Sequence, residues 1–216
     1  MRIYTFLAES QRFMYENYFL SSLPEDCEPH STIHTEPYVD YGFNTAFATR
    51  MRSKVSFMVD TCRQNFGDTI VFADADVQFF GPVKKTLLEE LGEFDIACQQ
   101  GGVYTCFSLC PGFFVCRCND TTLTLFNNMG KFFRADDQYS LNEQRWLCKH
   151  KCLTPSRFFT IGHVLLRNQV WGPDCDFNLP DQILVHHASG VTGLENKLKL
   201  MDVVRAKFYE KEAKRE

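Results

Sequence analysis

Long apolar runs are missing from this chain. No stretch reaches the roughly 18 consecutive apolar residues that span a bilayer. The opening run from Ile3 to Ala8 is short and stops at Glu9, so it predicts a first strand and not a leader peptide. Positive charge is not in excess. The 216 residues carry a formal net charge of −4, which argues against nucleic acid as the main partner. An anionic ligand stays open, because a metal ion can supply positive charge locally. The ten cysteines include no Cys-x-x-Cys pair, which removes the usual frame of a structural zinc site. Cys106, Cys110, Cys116 and Cys118 crowd one stretch, and Cys148 and Cys152 form a second near pair. Without a secretory leader they are expected to be unoxidised thiols packed as small hydrophobes. Internal repeats, low-complexity segments and linkers are also lacking. The expectation is one domain over 1–216, soluble and cytoplasmic, with a solvated tail at 210–216.

Aromatic side chains are plentiful, with 21 phenylalanines among 44% hydrophobic residues, so the core should be rich in rings. Residues 2–8 predict a buried strand. Residues 10–22 predict a helix, with Ser10 as N-cap and Phe13, Asn17 and Leu20 on one face. A weak strand follows at 31–35. The clearest helix covers 43–66, where Phe47, Met51, Val55, Met58 and Cys62 recur at three- and four-residue spacing and Gly67 ends the run. Arg50, Arg52, Lys54 and Arg63 lie off that stripe. Strands are expected at 69–73, 94–98, 113–118 (after a Pro111-Gly112 turn) and 183–185. Helices are expected at 84–91, from an Asn119 cap to 128, from an Asp136 cap through Leu147, and at 194–214. Alternating strands and helices predict an α/β layered domain with a mainly parallel sheet and some additional strands. Ligands in such sheets bind beyond the carboxyl ends of the strands.

The segment Ile70-Val71-Phe72-Ala73-Asp74-Ala75-Asp76-Val77 carries two carboxylates inside an apolar run. A buried strand cannot hold both unpaired, so the strand should end near Ala73 and release them at its carboxyl end. Hard oxygen ligands placed there suit Mg²⁺ or Mn²⁺, and those ions suit a diphosphate. A second segment, Val185-His186-His187-Ala188-Ser189-Gly190, ends a short strand on two imidazoles, one of which could complete the coordination beside Asp76. The turn containing Gly190 offers backbone N–H groups to phosphate oxygens, and Lys197 or Lys199 could neutralise a departing diphosphate. Gly112 lets a backbone approach a ligand closely, although a plain turn explains it equally well. Of Asp136 and Asp137, one should cap a helix while the other faces a pocket as an orienting group or general base.

In this order, Phe72-Ala73-Asp74-Ala75-Asp76-Val77, Pro111-Gly112-Phe113-Phe114-Val115, Asp137-Gln138-Tyr139-Ser140-Leu141-Asn142, and His187-Ala188-Ser189-Gly190 with Lys197 resemble one family. It is the nucleotide-diphospho-sugar transferases of the GT-A fold, which are metal-dependent glycosyltransferases. Among them the chain is similar to small soluble enzymes of the kind encoded by large algal viruses or bacteria. The resemblance implies a single Rossmann-like domain, with a mostly parallel central sheet and a small additional antiparallel sheet. It implies a nucleoside diphosphate sugar as donor (UDP favoured, GDP open) and a glycan or glycoprotein hydroxyl as acceptor. It implies Mn²⁺ or Mg²⁺ on Asp76, with Asp74 on the ribose and metal, and His187 as third ligand (His186 as its substitute). Thr5, Phe6 and Leu7 would frame base and ribose, Lys54 or Arg52 would reach the nucleotide, Gly112 and Gly190 would border the donor, and Lys197 would assist the leaving group. Asp137 would stand on the acceptor side. The family often has Asn-Ser or Asn-Thr before the glycine of the second motif, whereas this chain has Cys110-Pro111. Two rivals remain: a metal-dependent phosphatase with Asp74 as nucleophile, and a non-catalytic sugar-nucleotide-binding module. About 70 residues precede the motif strand, which disfavours the phosphatase.

Overall fold

A computed structural model describes residues 1–34, 45–102, 108–165 and 171–215. Thr35, Phe43, Asn44 and Cys106, on which parts of the expected strand, helix and cysteine cluster fall, lie outside the described residues.

The large sheet contains β1 (Arg2–Ala8), β2 (Glu28–His34), β3 (Thr69–Ala73), β5 (Ile96–Gln100), β6 (Leu109–Arg117) and β7 (His150–Cys152), in the order β2-β1-β3-β6-β5-β7. All run the same way except β6, which is antiparallel to both neighbours. A smaller sheet has the order β4-β9-β8, from β4 (Val77–Phe79), β8 (Phe158–Thr160) and β9 (Val185–His187). It is mixed and not purely antiparallel, because β9 pairs antiparallel with β4 but parallel with β8. The mostly parallel sheet with its reversed strand and small second sheet agrees with the layered α/β domain expected from the sequence.

Alternation along each central strand divides the core into two layers. Ile70 and Phe72 of β3 and Phe114 and Cys116 of β6 face α2 (Thr45–Gln64) and α4 (Asp120–Lys131). Val71, Ala73, Phe113 and Val115 face the opposite layer, built from the small sheet, α3 (Lys84–Leu91), α6 (Leu194–Ala213) and the first helical segment. The Phe72 and Phe114 rings stack at 4.9 Å between centroids. Cys62, Cys98, Cys110, Cys116 and Cys118 are buried, unoxidised thiols, as expected.

Three expectations are corrected. The first helical segment is a 3-10 turn (Glu9–Gln11), a short α turn, α1 (Arg12–Met14), and a π turn (Tyr15–Leu20). Ser10 lies inside it, and the N-terminal bond comes from the Ala8 N–H to the Gln11 side chain at 3.0 Å. Met14, Tyr15, Tyr18 and Phe19 are buried, while Phe13 is 60% exposed. Tyr18 can be buried because its hydroxyl donates to Asp202 at 2.9 Å. Second, Pro111 and Gly112 lie inside β6 and not in a turn before it. Opposite Cys98 and Gln99 the register jumps from Phe114 to Cys110, so Pro111, which has no N–H, sits where the β5 ladder needs none. Third, much of the solvated tail is helical: Glu210 and Ala213 to Arg215 are exposed, yet the segment is also anchored. α6 runs to Ala213, and Lys211 donates to the Leu179 carbonyl at 2.9 Å.

Candidate active site

β3 stops at Ala73, and Asp74 and Asp76 emerge at the carboxyl edge of the large sheet. Asp74 is held there by its own N–H, which donates to the Gly112 carbonyl at 2.7 Å. The bend carries the chain into β4, whose Val77 pairs with His187 of β9. One ligand atom from each of Asp74, Asp76 and His187 lies within 4.8 Å of the others. The His187 Nε2 is 3.4 Å from Asp76 Oδ1 and 3.9 Å from Asp74 Oδ2. Two carboxylates and an imidazole fit Mn²⁺ or Mg²⁺.

Gly112 makes this convergence possible. A Cβ there would clash with the His187 ring, lying 2.8 Å from its Nε2 and 2.9 Å from Asp74 Oδ2. Strand alternation turns the adjacent His186 to the opposite side, where its Nδ1 meets Gln78 Oε1 at 2.9 Å. Of the two histidines, only His187 faces the aspartates among the described contacts.

Two lysines complete the electrostatics. Lys197 Nζ is 2.6 Å from Asp76 Oδ2. Lys54 Nζ bridges Asp74 Oδ1 at 2.7 Å and Asp137 Oδ2 at 2.8 Å. Burial opposes the Lys54 charge, but Asp137 and then Asp74 outweigh it and hold the ammonium above the ordinary lysine range. Burial likewise opposes the Asp76 carboxylate, and Lys197 and then His187 hold it well below the usual range. The other sequence candidates lie elsewhere. Arg52 is exposed and sits over the Phe133 ring at 4.8 Å, and Lys199 pairs with Glu195 at 2.7 Å along the surface of α6.

Asp74, Asp76, His187, Lys54 and Lys197 line a cleft of about 800 Å³. Phe6 reaches it from the end of β1, but Thr5 and Leu7 do not line it; Thr5 is buried and Leu7 packs in the core. Gly190 lines the far wall with φ of +78°, a conformation that suits glycine. Asp136 caps α5 (Asp137–Gln144) by accepting from the Tyr139 N–H, which leaves Asp137 to face the cleft. Sequence reasoning gave no site role to Gln11, Arg50 and Met51, and quoted Gln138 and Asn142 only within a motif; all five line the cleft. Arg50 and Lys54 are four apart on α2, so they share a face, and that face covers the cleft and not solvent.

No family model and no curated protein matches the sequence. Solved structures do match. One is a glycosyltransferase involved in glycosylation of the major capsid of PBCV-1; it is 8% identical with a TM-score of 0.61, covering 94% of this chain and 100% of that one. Another is the glycosyltransferase GlyE of Streptococcus pneumoniae TIGR4, 14% identical with a TM-score of 0.55, covering 98% of this chain. This chain spans 65% of GlyE. An active-site mutant of LgtC is 8% identical with a TM-score of 0.50, covering 88% of each chain. The chain shares the fold of these glycosyltransferases.

Proposed function

We propose that this chain transfers a hexosyl group from a nucleoside diphosphate sugar, UDP-linked in preference to GDP-linked, to a hydroxyl of a glycan or glycoprotein. The observation that carries the reading is the convergence of Asp74, Asp76 and His187 beside Gly112, on the wall of one cleft. A divalent ion held by those three side chains would supply positive charge to the departing diphosphate. Lys197 adds a second positive charge from the first turn of α6, and the Gly190 turn lays backbone against the same region. Lys54 fixes Asp74 and Asp137 relative to each other, so the donor side and the acceptor side share one buried ammonium. Asp137, which lines the same cleft, would act on the acceptor side. Phe6 and Met51 offer an apolar wall to a base.

A thermal-shift series with UDP, GDP and their sugars, with and without Mn²⁺, tests this reading. Stabilisation by a nucleoside diphosphate that requires Mn²⁺ is expected. A flat series, or stabilisation by inorganic phosphate alone, would overturn it. Release of the nucleoside diphosphate from a donor sugar over time separates an enzyme from a binding module.

A further inference from the structure

We infer that Gln99 is the positioning residue that presents His187 to the cation, an inference that rests on the cation site proposed above. Gln99 is fully buried on β5, at the point where the β5–β6 register breaks between Cys98 and Gln99. Irregularities of this kind re-aim side chains next to sites. Its neighbour Cys98 belongs to the layer under α2 and α4, so Gln99 faces the other layer and the small sheet.

There its carboxamide has a single sensible orientation. Nε2 donates to the Phe158 carbonyl at 3.2 Å and to the Phe159 carbonyl at 3.0 Å. The reverse orientation would set a carboxamide oxygen against two carbonyl oxygens. Oε1 therefore faces Nδ1 of His187, at 2.7 Å. An amide oxygen only accepts, so Nδ1 carries a proton and donates it. The remaining nitrogen, Nε2, is the one directed at Asp76 and Asp74. Gln99 thus fixes both the ring rotation and which nitrogen is available to a cation, and the β8 carbonyls fix Gln99.

The adjacent histidine supplies an internal control. His186 Nδ1 faces Gln78 Oε1 at 2.9 Å, and Gln78 Nε2 donates to the Met201 carbonyl at 3.2 Å. The same device serves a ring turned away from the carboxylates.

The experiment combines two readouts on the full chain. Long-range ¹H–¹⁵N spectra of metal-free protein should show the His187 Nδ1 proton, protected from exchange in wild type and unprotected in Gln99→Met. The Mn²⁺ dissociation constant, from the electron paramagnetic resonance of free Mn²⁺, should rise about 10–100-fold in Gln99→Met. Gln78→Met removes the same group beside His186 and should leave Mn²⁺ affinity unchanged, with thermal melts checking that both variants fold. An unprotonated Nδ1 in wild type, or equal Mn²⁺ affinity in Gln99→Met and wild type, overturns the role of Gln99. If Gln99→Met does not fold, Gln99→Glu, which keeps an acceptor beside Nδ1, decides: a protected Nδ1 proton with Mn²⁺ affinity within about threefold of wild type supports the role, and loss of either overturns it. Absence of Mn²⁺ binding by wild type overturns the cation reading instead, whatever the state of Nδ1.

Discussion

Asp76 is the residue on which most of the site's charge converges, being 1% exposed between Lys197 and His187. Replacing it with asparagine keeps the shape but removes the negative charge that both partners need. Asp76→Asn should lower sugar transfer by on the order of 10²–10³-fold and weaken Mn²⁺ binding, with far-ultraviolet circular dichroism unchanged. Transfer rates within a factor of two of wild type would exclude Asp76 from the site. Gly112→Ala tests the space beside it. The added methyl must displace the His187 ring or the Asp74 carboxylate, so Mn²⁺ affinity should fall at least about tenfold. The meeting of the two aspartates with an imidazole was expected because acids that interrupt an apolar run must emerge at its end; which histidine joins them was not, because only the register of β9 against β4 decides it. Arg50 was obscured because a cation off an apolar stripe ordinarily meets water, and here it meets a glutamine; Lys54 was named for the nucleotide, and its described partners are the carboxylates of Asp74 and Asp137. Gln99 carries no sequence signal, since an amide at a strand end looks the same whether buried or wet.

Among the elements, β6 shows how topology builds chemistry. It runs against its neighbours, so its early residues lie beside the carboxyl end of β3. Gly112, near the start of β6, thereby reaches the aspartates at the end of β3. The sequence marked Pro111-Gly112 as a break, which is correct locally, but a bulge and a turn share the same residues. β4, β7 and β8 were not anticipated, because three-residue strands are too short to show a period. The first helical segment misled through its tyrosines, whose polar tips hide their contribution to an apolar face. The approach to α5 holds a testable feature. Ala135 adopts φ of +50° immediately before the Asp136 cap, and its side chain is exposed. Ala135→Gly should raise stability by on the order of 0.5–1 kcal/mol, because only the left-handed strain is lost. Urea midpoints measure it, and a lower midpoint for the variant would contradict the account.

Across the whole molecule, His163 links the two sheets. Its Nε2 donates to the Gln100 carbonyl of β5 at 2.9 Å, and its Nδ1 accepts from the Thr160 N–H of β8 at 3.4 Å. The Nδ1 contact needs the neutral ring, and burial holds its pKa below the ordinary value despite the Gln100 carbonyl, which favours the charged form. The unfolded chain therefore binds that proton first as pH falls. Stability from this group is complete above about pH 6.5 and declines below it. Wild type should lose more stability than His163→Gln between pH 7 and pH 5, as read by urea midpoints; parallel losses would remove His163 from the pH response. The layered α/β plan was visible from the alternation of elements. The mixed pairing of the small sheet was not, because strand direction there depends on which long connection returns to which edge. The doubled histidine of β9 has one last consequence, for assembly. Sliding β9 by one residue would carry His186 into the place of His187, so a misassembled molecule could still capture an ion. What rejects that arrangement lies on either side. Gln78 would be left facing Val185, and an imidazole would be forced into the fully enclosed position of Ala188. A small alanine thus proofreads the strand, and ion capture alone is no certificate that the chain has assembled correctly.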